Sequence, residues 1–553
     1  MKNNWRIYLF SAIGLLLVLF LIRSVVGCGH PVQQFSPVAP TITSVSPASS
    51  ATDVTLSAEA SVTFDIAMDP TTITAANFTL ISSAGPVTGT VTYDAASKTA
   101  KFVPSSALAY GTTYTATMAA AVKSTDGREL ELPHSWSFTT VYLVVTGALD
   151  PDFGTNGFVK FDGASNSTDR GKGIAINSGG KILVAAQITD FSYRAGVLCY
   201  NDNGTLDTGF GTSGLVPISD FFPESITVDS SDNIFVVGWW GDMFLRKLKS
   251  DGSVDTSFNS SGTVTTSGPY AKGAGGYAVL VDPSGKIYVA GTIIRVGAHN
   301  QMCVWRYTAE GIPDLDFNGT GLFTYDIDLG SMTFVGIRSI AFDATGRIIV
   351  GGVASGTTLD YRGIIWCVKS DGSGLDETFG DAANKGYVSN LIGAGGVPAG
   401  VTVAPDGKIL MTGTKDGNTM VWRYNSDGSA DTGFGVNGVV TYTVAIGGTN
   451  YDSSGARIIA DSAGKVIVAG KVWTGGGLDF TNDLTIIRFN QNGTVDTGFG
   501  SGGKIICSGS AGATTSKMDE PEAIKLDPLG RILVTGSSVN ASGDGDMAIW
   551  RFK

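Results

Sequence analysis

The stretch Val421-Trp422-Arg423-Tyr424-Asn425-Ser426-Asp427-Gly428-Ser429-Ala430-Asp431-Thr432-Gly433-Phe434-Gly435 decides the fold, because its core recurs along the chain. That core is an aspartate three residues before a phenylalanine. It appears as Asp150/Phe153, Asp207/Phe210, Asp255/Phe258, Asp314/Phe317, Asp376/Phe379, Asp431/Phe434 and Asp496/Phe499. The phenylalanines are spaced by 57, 48, 59, 62, 55 and 65 residues, and 54 residues follow the last one. Seven whole copies therefore fit. Self-similarity at this period marks a solenoid, a propeller or an array.

Each copy has the same internal order. A short strand such as Gly438-Val439-Val440-Thr441 follows the phenylalanine, and a second strand leads to a turn of the Pro405-Asp406-Gly407-Lys408 type. The third strand is apolar throughout, as in Ile409-Leu410-Met411-Thr412, and the fourth is Val421-Trp422-Arg423-Tyr424-Asn425. Four short strands per copy, seven times over, predict a seven-bladed β-propeller. The alternative is a straight solenoid, for which these units are long. The motifs resemble the delta-60 repeat family over residues 148–553. Blade two departs with Asp232-Asn233 in the turn, and Asn259 and Asn318 follow the phenylalanine in two copies.

Most repeated residues read as scaffold. Gly285, Gly407, Gly464 and Gly530 stand where a tight turn wants positive φ. Trp305, Trp366, Trp422 and Trp550 alternate with Arg306, Cys367, Arg423 and Arg551. This puts the tryptophans between blades and offers the arginines to the seven aspartates. Asn425, Asp427 and Asp431 around Gly428 also suggest a partial calcium loop, but no bidentate glutamate follows and side-chain turns explain the same residues. The expectation is no cofactor, with calcium in these turns as the alternative.

Connections in an antiparallel sheet alternate between its two ends. The near-constant turns thus share one face, and the loops of variable length share the other, where binding residues belong. The candidates there are Trp239, Trp240, Tyr361, Trp473, Asp479, Phe480, Asp544 and Asp546. Exposed aromatics beside carboxylates suit sugars or peptides. The alternative is that they cover the blade ends. His299 in the corresponding loop of blade three lacks a visible base partner.

Upstream, Val62-Thr63-Phe64, Phe78-Thr79-Leu80, Val91-Thr92-Tyr93, Ala100-Lys101-Phe102-Val103, Tyr114-Thr115-Ala116-Thr117 and Trp136-Ser137-Phe138 alternate with period two. This predicts a β-sandwich over 41–140. Phe64-Asp65-Ile66-Ala67-Met68-Asp69-Pro70, Leu108-Ala109-Tyr110-Gly111-Thr112-Thr113-Tyr114 and Trp136-Ser137-Phe138-Thr139-Thr140 resemble the bacterial Ig-like domain of S-layer type, which implies a spacer or adhesive module. The fold class is thus all-β, an Ig-like β-sandwich followed by a propeller.

Before the sandwich, Lys2 and Arg6 precede an apolar run from Ile7 to Ile22. Val25-Val26-Gly27-Cys28 follows and resembles a bacterial lipobox, which implies a signal peptide over 1–28, lipidation of Cys28 and attachment to a membrane. Gly29 after the cysteine implies the outer membrane or cell surface, and residues 29–40 read as a linker. The alternative is an uncleaved anchor, for which 16 apolar residues are short.

Composition agrees with a scaffold. There are 75 glycines in 553 residues, a net charge of −12 and only three histidines, His30, His134 and His299. The acidic balance excludes a general nucleic-acid binder, and three scattered histidines exclude a multi-histidine metal centre. Cys199, Cys303, Cys367 and Cys507 fall in different copies and read as free, buried residues. No nucleophile or phosphate-loop motif appears. The leading functional reading is a non-catalytic surface lipoprotein whose propeller binds a surface protein or polysaccharide. The alternatives are a propeller enzyme of polysaccharide lyase or hydrolase type, and a structural envelope component.

Overall fold

The computed structural model describes residues 39–553, apart from 83–84, 110–111, 142–145, 164–167, 189–194, 268–270, 296–299, 328–331, 357–360, 382–383, 393–399, 476–480 and 514–516. Residues 1–38, Cys28 among them, and His299, Asp479 and Phe480 lie outside the described residues.

Alternation builds the sandwich. One sheet orders Ile42–Ser46, Ala60–Phe64, Thr99–Pro104 and Gly89–Asp94; the other orders Ala51–Val54, His134–Thr140, Thr113–Met118, Phe78–Ser82 and Gly85–Pro86. Ala60, Val62 and Phe64 point inward on one strand, and Phe78, Phe102, Tyr114, Trp136 and Phe138 meet them in the core. Phe78 packs edge-on against Phe102, with ring centroids 6.0 Å apart. The intervening residues are mostly solvated, as a two-layer antiparallel fold requires.

From Phe158 to Phe552 the described residues form seven sheets of four antiparallel strands, besides the small hairpin Val444–Ile446/Thr449–Tyr451. The innermost strands are Arg170–Ile176, Phe222–Val228, Ala271–Val281, Met332–Phe342, Val401–Val403, Ser453–Ala460 and Asp519–Leu526. Each lies beside the innermost strands of both neighbouring sheets, and the series returns from the last to the first. We number the blades in this order.

Sequence copy and blade are offset. The strand after each phenylalanine is the outermost strand of the preceding blade, so Leu215–Ile218 after Phe210 completes blade one and Thr263–Thr266 after Phe258 completes blade two. Likewise Tyr387–Leu391 after Phe379 completes blade four. The Asp-Gly connection, such as Asp427-Gly428, therefore lies within a blade, and the crossing between blades falls one strand later. Phe158–Phe161 pairs with Gly545–Phe552 and completes blade seven from the start of the propeller. Closure thus comes from ordinary ladder bonds between the two ends of the propeller chain.

Second strands are buried on both faces, as in Ile182-Leu183-Val184-Ala185-Ala186. Leu183 and Val197 of blade one pack with Ile234 and Val236 of blade two. Each sheet has apolar neighbours on either side, which explains continuous apolar runs rather than alternation. Trp305, Trp366, Trp422 and Trp550 are buried in the same layers.

One face is consumed by the repeat. Phe153, Phe210, Phe258, Phe317, Phe379, Phe434 and Phe499 are all 0–1 % exposed, so they are core residues and none of them can meet a ligand. On the third strands, Arg306, Arg423, Arg488 and Arg551 lie over Phe317, Phe434, Phe499 and Phe153 at 4.4–5.5 Å. Each also meets its aspartate: Arg306–Asp314 at 2.7 Å, Arg423–Asp431 at 3.2 Å, Arg488–Asp496 at 2.7 Å and Arg551–Asp150 at 2.9 Å.

The pairing of arginine with aspartate, expected for all seven copies, needs correction at the copies of Phe210, Phe258 and Phe379. Cys199 and Cys367 replace the arginine in two of them, so Phe210 packs in the same core as Cys199, and Phe379 with Cys367. A thiol carries no charge for the carboxylate, and there the turn cations Lys181 and Arg347 hold Asp207 and Asp376. Conversely, blade two has Asn233 in the turn, and Lys247 of its third strand holds Asp255 at 3.1 Å. The same Lys247 stands over Phe258 at 5.9 Å in place of a guanidinium. Every repeat aspartate thus meets at least one cation, which keeps the partly buried carboxylates compensated.

The turns explain their residues equally well. Asp427 Oδ1 accepts the Ser429 N–H at 2.9 Å and its hydroxyl at 2.6 Å. These are side-chain turns, and Asp431 is paired with Arg423. Gly285 and Gly407 have φ of +84° and +78°. Asp232 takes the same place in blade two at φ +61°, and Asn259 and Asn318 stand at +47° and +50° where other copies have glycine. Asparagine and aspartate are the side chains that tolerate this region.

Candidate functional site

The opposite face opens onto the centre of the ring. Six inner strands carry a register shift at one height: between Gly171/Gly173, Pro223/Ser225, Gly276/Ala278, Ile337/Ser339, Gly455/Arg457 and Pro521/Ala523. A bulge leaves one residue unpaired and re-aims its side chain. The residues so released are Lys172, Glu224, Tyr277, Arg338, Ala456 and Glu522. Lys172, Glu224, Tyr277, Arg338 and Glu522 line a central cavity of about 120 Å³, joined by Arg457 from the position after the sixth bulge.

Charge in this cavity is coupled. Glu522 faces Lys172 at 3.3 Å, Arg170 at 3.6 Å and Arg457 at 3.6 Å. Glu224 faces Lys172 at 3.5 Å. Above them, Glu520 binds Lys471 at 2.6 Å and Arg170 at 3.0 Å. Burial pushes the Glu522 carboxyl up, but Lys172, Arg457 and Arg170 outweigh it and hold it below the ordinary range. Burial raises the Tyr277 hydroxyl, and the Glu224 charge adds to that. The Arg457 guanidinium is pulled down by burial; Glu522 opposes this and Arg338 reinforces it.

Blade two connects the cavity to an aromatic surface. Ile234–Trp240 ends in a tight hairpin at Gly241, whose φ is +77°. Trp239 and Trp240 are 37 % and 51 % exposed. Phe222 lies 6.0 Å from Trp239 and 5.2 Å from Trp240 between ring centroids. The Trp239 indole N–H donates to Glu224 Oε1 at 3.1 Å, tying this group to the cavity wall. Beside it, Ser219, Asp220, Phe221, Phe222 and Trp240 line a second concavity of about 410 Å³.

The other residues singled out from the sequence do not join this group. Tyr361 opens the third strand of blade four and packs, half-buried, against the core between blades four and five. Trp473 ends the second strand of blade six opposite Asn482. Asp544 donates its N–H to Asn540 Oδ1 at 3.2 Å. Asp546 is buried and holds Lys160 at 2.7 Å and Asn540 at 2.7 Å, so it is a structural carboxylate and not an exposed one. None of these four lines either cavity.

The cavity residues themselves were not among the sequence candidates. A signal existed: each precedes a small-apolar run in the inner strand, as in Lys172-Gly173-Ile174, Glu224-Ser225-Ile226, Arg338-Ser339-Ile340 and Glu522-Ala523-Ile524. In that column the copies carry Lys172, Glu224, Tyr277, Arg338 and Glu522, residues of both charges and none. Among the described residues no group of three His, Cys, Asp or Glu has the geometry to hold a metal ion.

Residues 36–140 match the bacterial Ig-like domain family. Residues 179–210, 230–258, 404–434 and 464–499 match the β-propeller family designated domain of unknown function 5122. The chain is a bacterial Ig-like domain followed by a DUF5122 β-propeller. The delta-60 repeats of the sequence are consistent with this propeller.

Among solved structures, the DUF5122 propeller chain is similar to an ulvan lyase of polysaccharide lyase family 25, at 11 % identity over 69 % of this chain and 94 % of that one, with a TM-score of 0.41. A Dyadobacter fermentans protein of unknown function shows 12 % identity over 72 % of this chain and 99 % of that one, with a TM-score of 0.36. CopC from Methylosinus trichosporium shows 17 % identity over 18 % of this chain and 93 % of that one, with a TM-score of 0.16. No curated protein matches the chain.

Proposed function

We propose that this chain is a non-catalytic binding protein of the bacterial surface, and that its propeller takes an extended glycan across the face bearing Trp239 and Trp240. The observation that carries this reading is the pair of exposed indoles Trp239 and Trp240, packed on the half-buried Phe222 at a tight strand end beside a 410 Å³ concavity. Indole rings present a flat apolar face and a polar edge, which suits the C–H faces and hydroxyls of a sugar ring. On the opposite face the repeat phenylalanines are buried and the repeat aspartates are held by cations.

Location is part of the same proposal. Lys2, Arg6, the Ile7–Ile22 run and Cys28 support export and lipid attachment at the cell surface, with the Ig-like domain as a spacer. Cys28→Ala should abolish palmitate incorporation and release the protein from the membrane fraction. Retention of the variant in that fraction contradicts the anchor.

For binding, the full chain is screened on immobilised polysaccharides beside a Trp239→Ala/Trp240→Ala variant. Loss of binding in the variant, at unchanged melting temperature, is expected. Binding that survives both substitutions contradicts the proposed surface.

A further inference from the structure

The central cavity holds a cation that the fold does not use. Lys172, Arg170 and Arg457 share Glu522, and Lys172 also meets Glu224. Arg338 has no carboxylate within ion-pair distance among the described residues, and its Nε is buried without a hydrogen-bond partner. A guanidinium cannot shed its proton to escape that position. Arg338 as a whole is half-buried, and its shielded Nε is a charged donor left unmatched, a deficit that an anion entering the cavity would make good. Arg338 also sits on a bulge, so the backbone is bent in a way that turns this side chain to the cavity.

We propose that the central cavity is a carboxylate subsite, in which Arg338, with Arg457 lining the same space, takes the acid group of a uronate-bearing glycan. This rests on the glycan reading above and names its substrate class. The size of the cavity fits the assignment. At about 120 Å³ it has room for a carboxylate and its near neighbours. The rest of the ligand would extend over the adjoining surface formed by Phe222, Trp239 and Trp240. The Trp239–Glu224 hydrogen bond makes the two parts continuous.

Charge and geometry favour the same occupant. A carboxylate accepts two parallel N–H bonds from a guanidinium, which is both stronger and more directional than a neutral contact. It would also offset the repulsion that Arg338 exerts on Arg457. A sugar is favoured over an acidic peptide because the strand bearing Trp239 and Trp240 is paired on both sides, with Phe222 and with Met243 and Asp242. It offers ring faces and no open edge for a peptide backbone.

The test is calorimetric titration of the full chain with oligomers of galacturonate, glucuronate and mannuronate, each beside its methyl ester. At least one acid should bind, and its ester should bind roughly ten- to a hundred-fold more weakly. Arg338→Gln should lower the acid's affinity by a similar factor and leave the ester's unchanged. Arg338→Lys should recover part of the loss, and Trp240→Ala should weaken acid and ester together. The melting temperature of each variant shows that it is folded. Equal binding of acid and ester, or an Arg338→Gln effect of equal size on both, overturns the carboxylate subsite while the glycan reading stands. Failure of every oligosaccharide overturns both, and an Asp/Glu-rich peptide that binds instead would identify the occupant as protein.

Discussion

Arg551 Nε lies 2.9 Å from Asp150 Oδ2, both buried, across 401 residues of sequence. This pair joins the first copy of the repeat to the last, beside the ladder between Phe158–Phe161 and Gly545–Phe552. Lys553 reaches the other oxygen of Asp150 at 3.0 Å. Removing Asp150 leaves these cations without their carboxylate at the point where the ring closes. Asp150→Ala should cost about 3–5 kcal/mol. Asp255→Ala, whose one cation Lys247 is more exposed, should cost less. Urea unfolding of the two variants gives the comparison.

Acid should loosen the propeller through the same residues. Burial raises the carboxyls of Asp150, Asp314, Asp376 and Asp496, but their cations and N–H donors bring each below the ordinary value of 3.8. A carboxyl whose pKa is depressed on folding adds stability that is complete above the unfolded value and is lost as pH falls through the folded one. The melting temperature should therefore hold steady down to about pH 5 and drop below about pH 4. A drop centred near neutral pH would contradict this origin.

Arg423 and Asp431 give the pairwise test within one copy. Single alanine variants and the double variant should show a coupling of about 0.5–3 kcal/mol. Strict additivity would mean that the stack on Phe434, and not the ion pair, is what Arg423 contributes.

The four described cysteines should resist thiol reagents. Burial pushes Cys199, Cys367 and Cys507 up to about 12 and raises Cys303 as well. The thiolate is the reactive form. In a Cys28→Ser background at pH 8, no thiol should react with a disulfide reagent until urea unfolds the protein, when four should appear.

Legibility in the sequence followed the kind of interaction. The Asp–Phe repeat, the glycine turns and the Trp–Arg strands stood out because each is a local requirement met again in every copy or in most of them. The cations that stand in for arginine beside Phe210 and Phe379 were not legible, because Lys181 and Arg347 reach their aspartates from a turn 26 and 29 residues away. Offset between copy and blade was hidden too, since the strand after Phe153 can pair with either neighbour and only closure on Gly545–Phe552 decides it. Trp239 and Trp240 stood out in the sequence as adjacent aromatics in a loop of variable length, and both are exposed. Asp546 looked similar, but its partner Lys160 lies 386 residues away. The cavity residues were hidden by their bulges: one unpaired residue breaks the period-two pattern at the position that faces the channel, so Lys172, Glu224, Arg338 and Glu522 read as ordinary surface charges.

The central claim is that ligand meets the face bearing Trp239 and Trp240, at the mouth of the charged cavity. Hydrogen–deuterium exchange of the full chain, with and without a bound polysaccharide, tests it most directly. Exchange should slow at Phe222–Ser225 and Trp239–Asp242 and stay unchanged at Asp406–Lys408 and Asp427–Phe434. Protection of those turns, with Trp239–Asp242 unaffected, would place the ligand on the opposite face and contradict the account.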